Sequence, residues 1–84
     1  LGPLEKQVTQ LEERIAALES AQATRSAELA DPAVYADEAR RRKLLGDYQG
    51  DQARLEEMTA RWEHAAGELE AARARFDAET PTPG

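Results

Sequence analysis

Two stretches of this chain repeat their apolar residues at alternating steps of four and three, and an Asp-Pro pair separates them. Such a repeat closes every seven residues on one face of an α-helix and marks a helix that pairs along a narrow seam. In the first stretch Leu4, Val8, Leu11, Ile15 and Leu18 form the stripe, which the same register carries on through Gln22, Arg25 and Leu29. Leu4, Leu11, Leu18 and Arg25 take heptad position d, and Val8, Ile15, Gln22 and Leu29 take a. Glu5, Lys6, Gln10, Glu12, Glu13, Arg14 and Glu19 lie between them and suit a solvated helix face. The pattern predicts one helix over about 3–30.

Asp31-Pro32 ends it, because proline lacks the N–H that would continue the ladder and pushes the preceding residue out of the helical region. Asp before Pro is also a favoured helix start, with Asp as the cap and Pro in the first turn. The spacing therefore predicts a short helical turn within 31–36, with Val34 and Tyr35 covering the end of the seam. Asp37 is the next candidate cap.

The second stretch runs Leu44, Tyr48, Asp51, Leu55, Met58, Trp62, Ala65, Leu69, Ala72 and Phe76. Tyr48, Leu55, Trp62, Leu69 and Phe76 repeat every seven residues at a, and the others fill d. The expected helix covers about 37–79. Gly46 and Gly50 fall on its outer face, each costing about 1 kcal/mol relative to Ala. A competing reading ends one helix at Gly46 and restarts at Asp51, but the heptad crosses both glycines without a change of phase.

A short, proline-marked connection folds two such helices back on each other. The expected fold is all-α: an antiparallel two-helix coiled-coil hairpin over residues 4–79 with a short helical turn at its tip, followed by a flexible tail at 80–84. Antiparallel seams pair a with d, and two registers satisfy this. In one, facing residue numbers sum to 73, placing Leu11 on Trp62, Gln22 on Asp51 and Arg25 on Tyr48. In the other they sum to 80, placing Arg25 on Leu55. The first keeps polar residues opposite polar ones and is preferred, since an unpaired buried polar group is costly. It leaves Ala72 and Phe76 beyond the first helix, where a longer parent chain could supply a partner.

Composition agrees with a rod. Ala, Glu, Leu, Arg and Lys supply 49 of the 84 residues, a bias typical of long helices and coiled coils. Half of the hydrophobic residues are alanines, too small to fill a globular core. The absence of cysteine removes disulfides, thiolate metal sites and thiol nucleophiles. No run of about 18 apolar residues exists to cross a membrane. A cytoplasmic location is expected.

Catalytic chemistry finds no support in these residues. His64 is the single histidine; it falls at position c, on the solvent face, without convergent partners for acid-base or metal chemistry. Glu12-Glu13 and Glu56-Glu57 are neighbours in sequence, and adjacent helix positions do not face each other. No phosphate-binding G-x-x-x-x-G-K-[ST] loop is present. Neither a catalytic residue, a metal nor a cofactor is expected. Trp62 could stack on a base if exposed, but its a position assigns it to the seam. Gln22 and Arg25 read as polar seam residues that fix register.

One charge feature stands apart. Arg40, Arg41, Arg42 and Lys43 are consecutive and follow the turn, whereas the net charge of the whole chain is −6. Removing these four leaves −10 on the remainder. They would form a basic collar near the hairpin tip, able to meet phosphates through charge-assisted hydrogen bonds and counterion release.

In these features the chain resembles the C-terminal coiled-coil domain of the ABC-F ATPases, especially the Uup type. The resemblance rests on Leu29-Ala30-Asp31-Pro32-Ala33-Val34-Tyr35 at the turn, on Leu44-Leu45 and Tyr48 after the charged stretch, and on Arg61-Trp62-Glu63 in the returning helix. It implies a noncatalytic hairpin appended to the nucleotide-binding domains of a soluble ATPase linked to translation or DNA transactions. It further implies weak, nonspecific binding of DNA or ribosomal RNA, for which Arg40, Arg41, Arg42 and Lys43 are the candidate contacts. Asp31, Pro32, Tyr35 and Trp62 match as architecture. The alternative reading is a structural or protein-interaction coiled coil, a docking or dimerisation hairpin using Ala72 and Phe76. A monomer is expected, with a dimer as the other possibility.

Overall fold

The structure, a computed structural model, describes residues 2–79. Among them the order is α1 (Gly2–Leu29), α2 (Pro32–Ala36) and α3 (Glu38–Glu79), with no strand. The two long helices pack against each other in opposite directions, and α2 bridges them at the tip. The molecule is a rod with principal extents of 68 × 19 × 14 Å. The tail expected at 80–84 lies outside the described residues.

The turn follows from its two aspartates. Asp31 has extended backbone (φ −74°, ψ 119°), and its carboxylate accepts the Ala33 N–H while Pro32 occupies the first turn of α2. Asp37 then serves two helices. Its N–H donates to the Val34 carbonyl at 3.1 Å, closing α2, and its Oδ1 accepts the Arg40 N–H at 3.2 Å, opening α3. Each cap satisfies backbone donors that a helix start otherwise leaves free, worth about 1 kcal/mol.

The seam is thin. Leu11, Val34, Ala65 and Leu69 are its buried apolar residues, while Leu4, Val8, Ile15, Leu18, Leu44, Leu55, Met58 and Trp62 are half-buried. Two helices alone cannot surround a side chain, so every large residue keeps an edge in water. Truncating Leu11 to Ala removes one of the few well-covered side chains, at about 2–3 kcal/mol. Ala65 lets the backbones approach and is itself 1% exposed.

Polar contacts fix the register. Gln22 is buried, and its Nε2 donates to the Tyr48 carbonyl at 2.9 Å and to Gln52 Oε1 at 3.3 Å. Tyr48 and Gln52 flank Asp51, the residue that faces Gln22 when numbers sum to 73. In the alternative register Gln22 faces Met58, about 9 Å along the axis from Gln52. Arg25 does not pair with Tyr48 as the simple layer count expects; it donates to Asp51, three residues further along α3, and to Gln22 Oε1 at 3.1 Å. The length of the arginine side chain permits the diagonal, and a carboxylate is the stronger acceptor. Near the other end Arg73 meets Glu5 at 3.2 Å.

One expectation holds and another changes. The helix runs through Gly46 and Gly50 without a break. Val34 alone closes the seam, at 7% exposure, whereas Tyr35 stands out in solvent at 57%. Consecutive residues of a helical turn point about 100° apart, so one turn of α2 can aim only one of them inward.

Candidate nucleic-acid interface

The four basic residues occupy the first turns of α3, immediately beyond the Asp37 cap. They share one end of the rod, but their environments differ. Arg41 is half-buried. Its Nη1 donates to the Tyr35 carbonyl at 2.7 Å, and its guanidinium carbon lies 5.2 Å from the centre of the Tyr35 ring. This arginine is therefore committed to holding α2 against α3.

Arg42 and Lys43 point into solvent but carry local counterions. Arg42 meets Glu38 at 2.7 Å and Lys43 meets Asp47 at 3.2 Å, both one helical turn away. Their side chains remain 76% and 78% exposed, so these pairs are weak and readily exchanged. Arg40 is exposed and, among the described residues, has no ion-pair partner. The tip thus offers, among the described residues, one free cation and two loosely held ones.

The heptad contained a signal for this division. Seven residues before Tyr48 lies Arg41, an a position on the seam side, whereas Arg40, Arg42 and Lys43 fall at g, b and c. The paired carboxylates also stand at the helical spacing of four.

Elsewhere the rod carries little that converges. His64 Nε2 lies 2.8 Å from Glu68 on the same helix, and its side chain is 79% exposed. Trp62 sits in a shallow groove beside Ile15 and Leu55. Its indole N–H is buried and unpartnered among the described residues. No three of the described His, Asp or Glu side chains gather around a common metal position. No described helix is long and apolar enough to cross a membrane.

Comparison with known families decides the lineage. The sequence model of the ABC transporter C-terminal domain matches residues 4–71, most of the hairpin. The chain belongs to this family. No curated protein and no solved structure gives a match. As an ABC transporter C-terminal domain the chain is an accessory element to ATP-binding-cassette nucleotide-binding domains. The matched span contains the Asp31-Pro32 turn, the basic residues and the Gln22, Arg25 and Asp51 layer, so both tip and seam are parts of the family's domain.

Proposed function

We propose that this hairpin is the noncatalytic accessory domain of a cytoplasmic ABC-F ATPase of the Uup type, and that its tip contacts the phosphates of DNA or ribosomal RNA. The observation that carries the reading is the grouping of Arg40, Arg42 and Lys43, exposed together at one end of an otherwise acidic rod. Arginine and lysine bind phosphate oxygens through charge-assisted hydrogen bonds and release condensed counterions as they do so. Glu38 and Asp47 oppose the attraction, and so does the net charge of −6. The resulting contact is weak, independent of sequence and sensitive to salt. It helps a parent ATPase dock on its nucleic acid without supplying the main affinity.

Titration of labelled duplex DNA, single-stranded DNA and RNA at low and moderate salt tests the proposal. Binding that weakens with salt and disappears in an Arg40→Glu, Arg42→Glu, Lys43→Glu variant supports it. Identical curves for the chain and this variant would remove the tip from the interface. A second reading draws on Phe76, which is 58% exposed on the part of α3 that carries the seam stripe onward. A protein-docking or dimerisation hairpin then replaces the nucleic-acid role, and sedimentation across a concentration series separates the two.

A further inference from the structure

The tip carries an aromatic ring that the seam does not bury. Val34 already closes the seam, yet its neighbour Tyr35 stands 57% exposed with its backbone and ring both held by Arg41. The guanidinium lies over the ring at 5.2 Å and so covers part of it, and the remainder faces water. A short helix capped by Asp31 and closed onto Asp37 fixes the backbone beneath it. The ring is thus oriented before any ligand arrives, and the entropy of ordering it has already been met within the fold. The collar of Arg40, Arg42 and Lys43 begins a few residues along the chain.

An oriented aromatic face near exposed cations is an arrangement that holds unpaired nucleotides. A base stacks on the ring while the cations track the backbone, and stacking requires a base free of its duplex. Deepening the proposed phosphate contact, and resting on it, we infer that the tip selects single-stranded nucleic acid by stacking one unpaired base on Tyr35. Arg41 acts as the positioning residue. The basic run is thereby divided, with Arg41 orienting the ring while Arg40, Arg42 and Lys43 meet phosphates.

The test compares short single-stranded DNA, single-stranded RNA and duplex DNA, binding the 84-residue chain and four variants by fluorescence anisotropy. Circular dichroism first confirms that each variant is helical. The expected result is a preference for both single strands over duplex. Tyr35→Ala lowers single-strand affinity at least about fivefold and leaves duplex affinity and the salt slope unchanged. Tyr35→Phe keeps the preference, because a phenyl ring stacks as well. Arg41→Lys keeps the charge but loses the planar guanidinium, and it reduces the preference. Lys43→Ala weakens all three ligands alike and lowers the salt slope by about one.

Equal losses for single strand and duplex in Tyr35→Ala, or no loss in either, overturn the stacking assignment while leaving the phosphate contact standing. Absence of binding to any of the three ligands removes both. The DNA and RNA arms report which source of unpaired nucleotides the tip accepts.

Discussion

The guanidinium of Arg25 reaches across the seam to the carboxylate of Asp51, and Arg54 meets the second oxygen of the same carboxylate at 3.3 Å. Gln22 completes the layer by accepting from Arg25 and donating to Tyr48 and Gln52. Every member is partnered, which is what allows charge between the leucine layers on either side.

Removing one partner is therefore worse than removing both. Asp51→Leu leaves the half-buried Arg25 without its carboxylate and lowers the unfolding midpoint, whereas the exposed Arg54 turns to water. Combined with Arg25→Leu it restores or exceeds the original midpoint, since apolar replacement of a shielded pair is often neutral or stabilising. Thermal unfolding of the single and double variants gives the comparison; additive losses would refute the coupling. The hydrogen bond to Asp51 raises the Arg25 pKa above its ordinary value. A raised base stabilises fully below its unfolded value and loses that contribution only as pH climbs through the folded one. Arg25 consequently adds no slope to stability near neutral pH, and a titration from neutral to mildly basic conditions shows none from this arginine.

Gly46 and Gly50 lie on α3 with helical backbone, and a Cβ built at either meets nothing within 4 Å. Neither turn geometry nor close approach requires them. Gly46→Ala and Gly50→Ala each stabilise the hairpin by about 1 kcal/mol. Urea unfolding checks this through a raised midpoint at unchanged slope. A loss of stability would reveal a constraint on the helix surface that packing does not account for.

Trp62 contributes area and no hydrogen bond, because its buried indole N–H has no partner among the described residues. Trp62→Phe costs about 1 kcal/mol or less, as lost packing is offset by removing an unsatisfied donor. Trp62→Ala costs about 3 kcal/mol, the low end for a large aromatic, because the side chain is only half-buried. Chemical denaturation of both variants measures the gap, and near-equal costs would place a partner on that N–H.

Glu38 and Asp47 hold Arg42 and Lys43 in exposed pairs. Glu38→Gln with Asp47→Asn frees both cations at a cost of about 0.3–0.5 kcal/mol per pair in helix stability. On the proposed phosphate contact, nucleic-acid binding then tightens and falls more steeply with salt. An unchanged salt slope would show that these cations do not meet phosphates.

The helices were legible because Asp31-Pro32 and the heptad act locally, through caps, backbone restriction and side-chain period. The register was legible from Gln22 and Asp51, since a thin seam penalises polar against apolar. The actual partner of Arg25 was not, because side-chain length lets an arginine choose an acceptor a turn away from its layer. The basic run was visible at once and the heptad sets Arg41 apart at a, but the hold of Arg41 on Tyr35 depended on where α2 set that ring. That position arises from the folded turn, where Val34 and Tyr35 compete for one inward direction.

The elongated shape also governs how the protein behaves as a particle. Its radius of gyration is 19.6 Å, whereas a compact chain of this length has about 12 Å. Friction scales with the larger dimension, so a single copy elutes from a sizing column at the volume of a heavier globular standard. One hairpin diffusing slowly would therefore imitate a dimer on such a column, and mass must be read from sedimentation equilibrium or light scattering, which do not depend on shape.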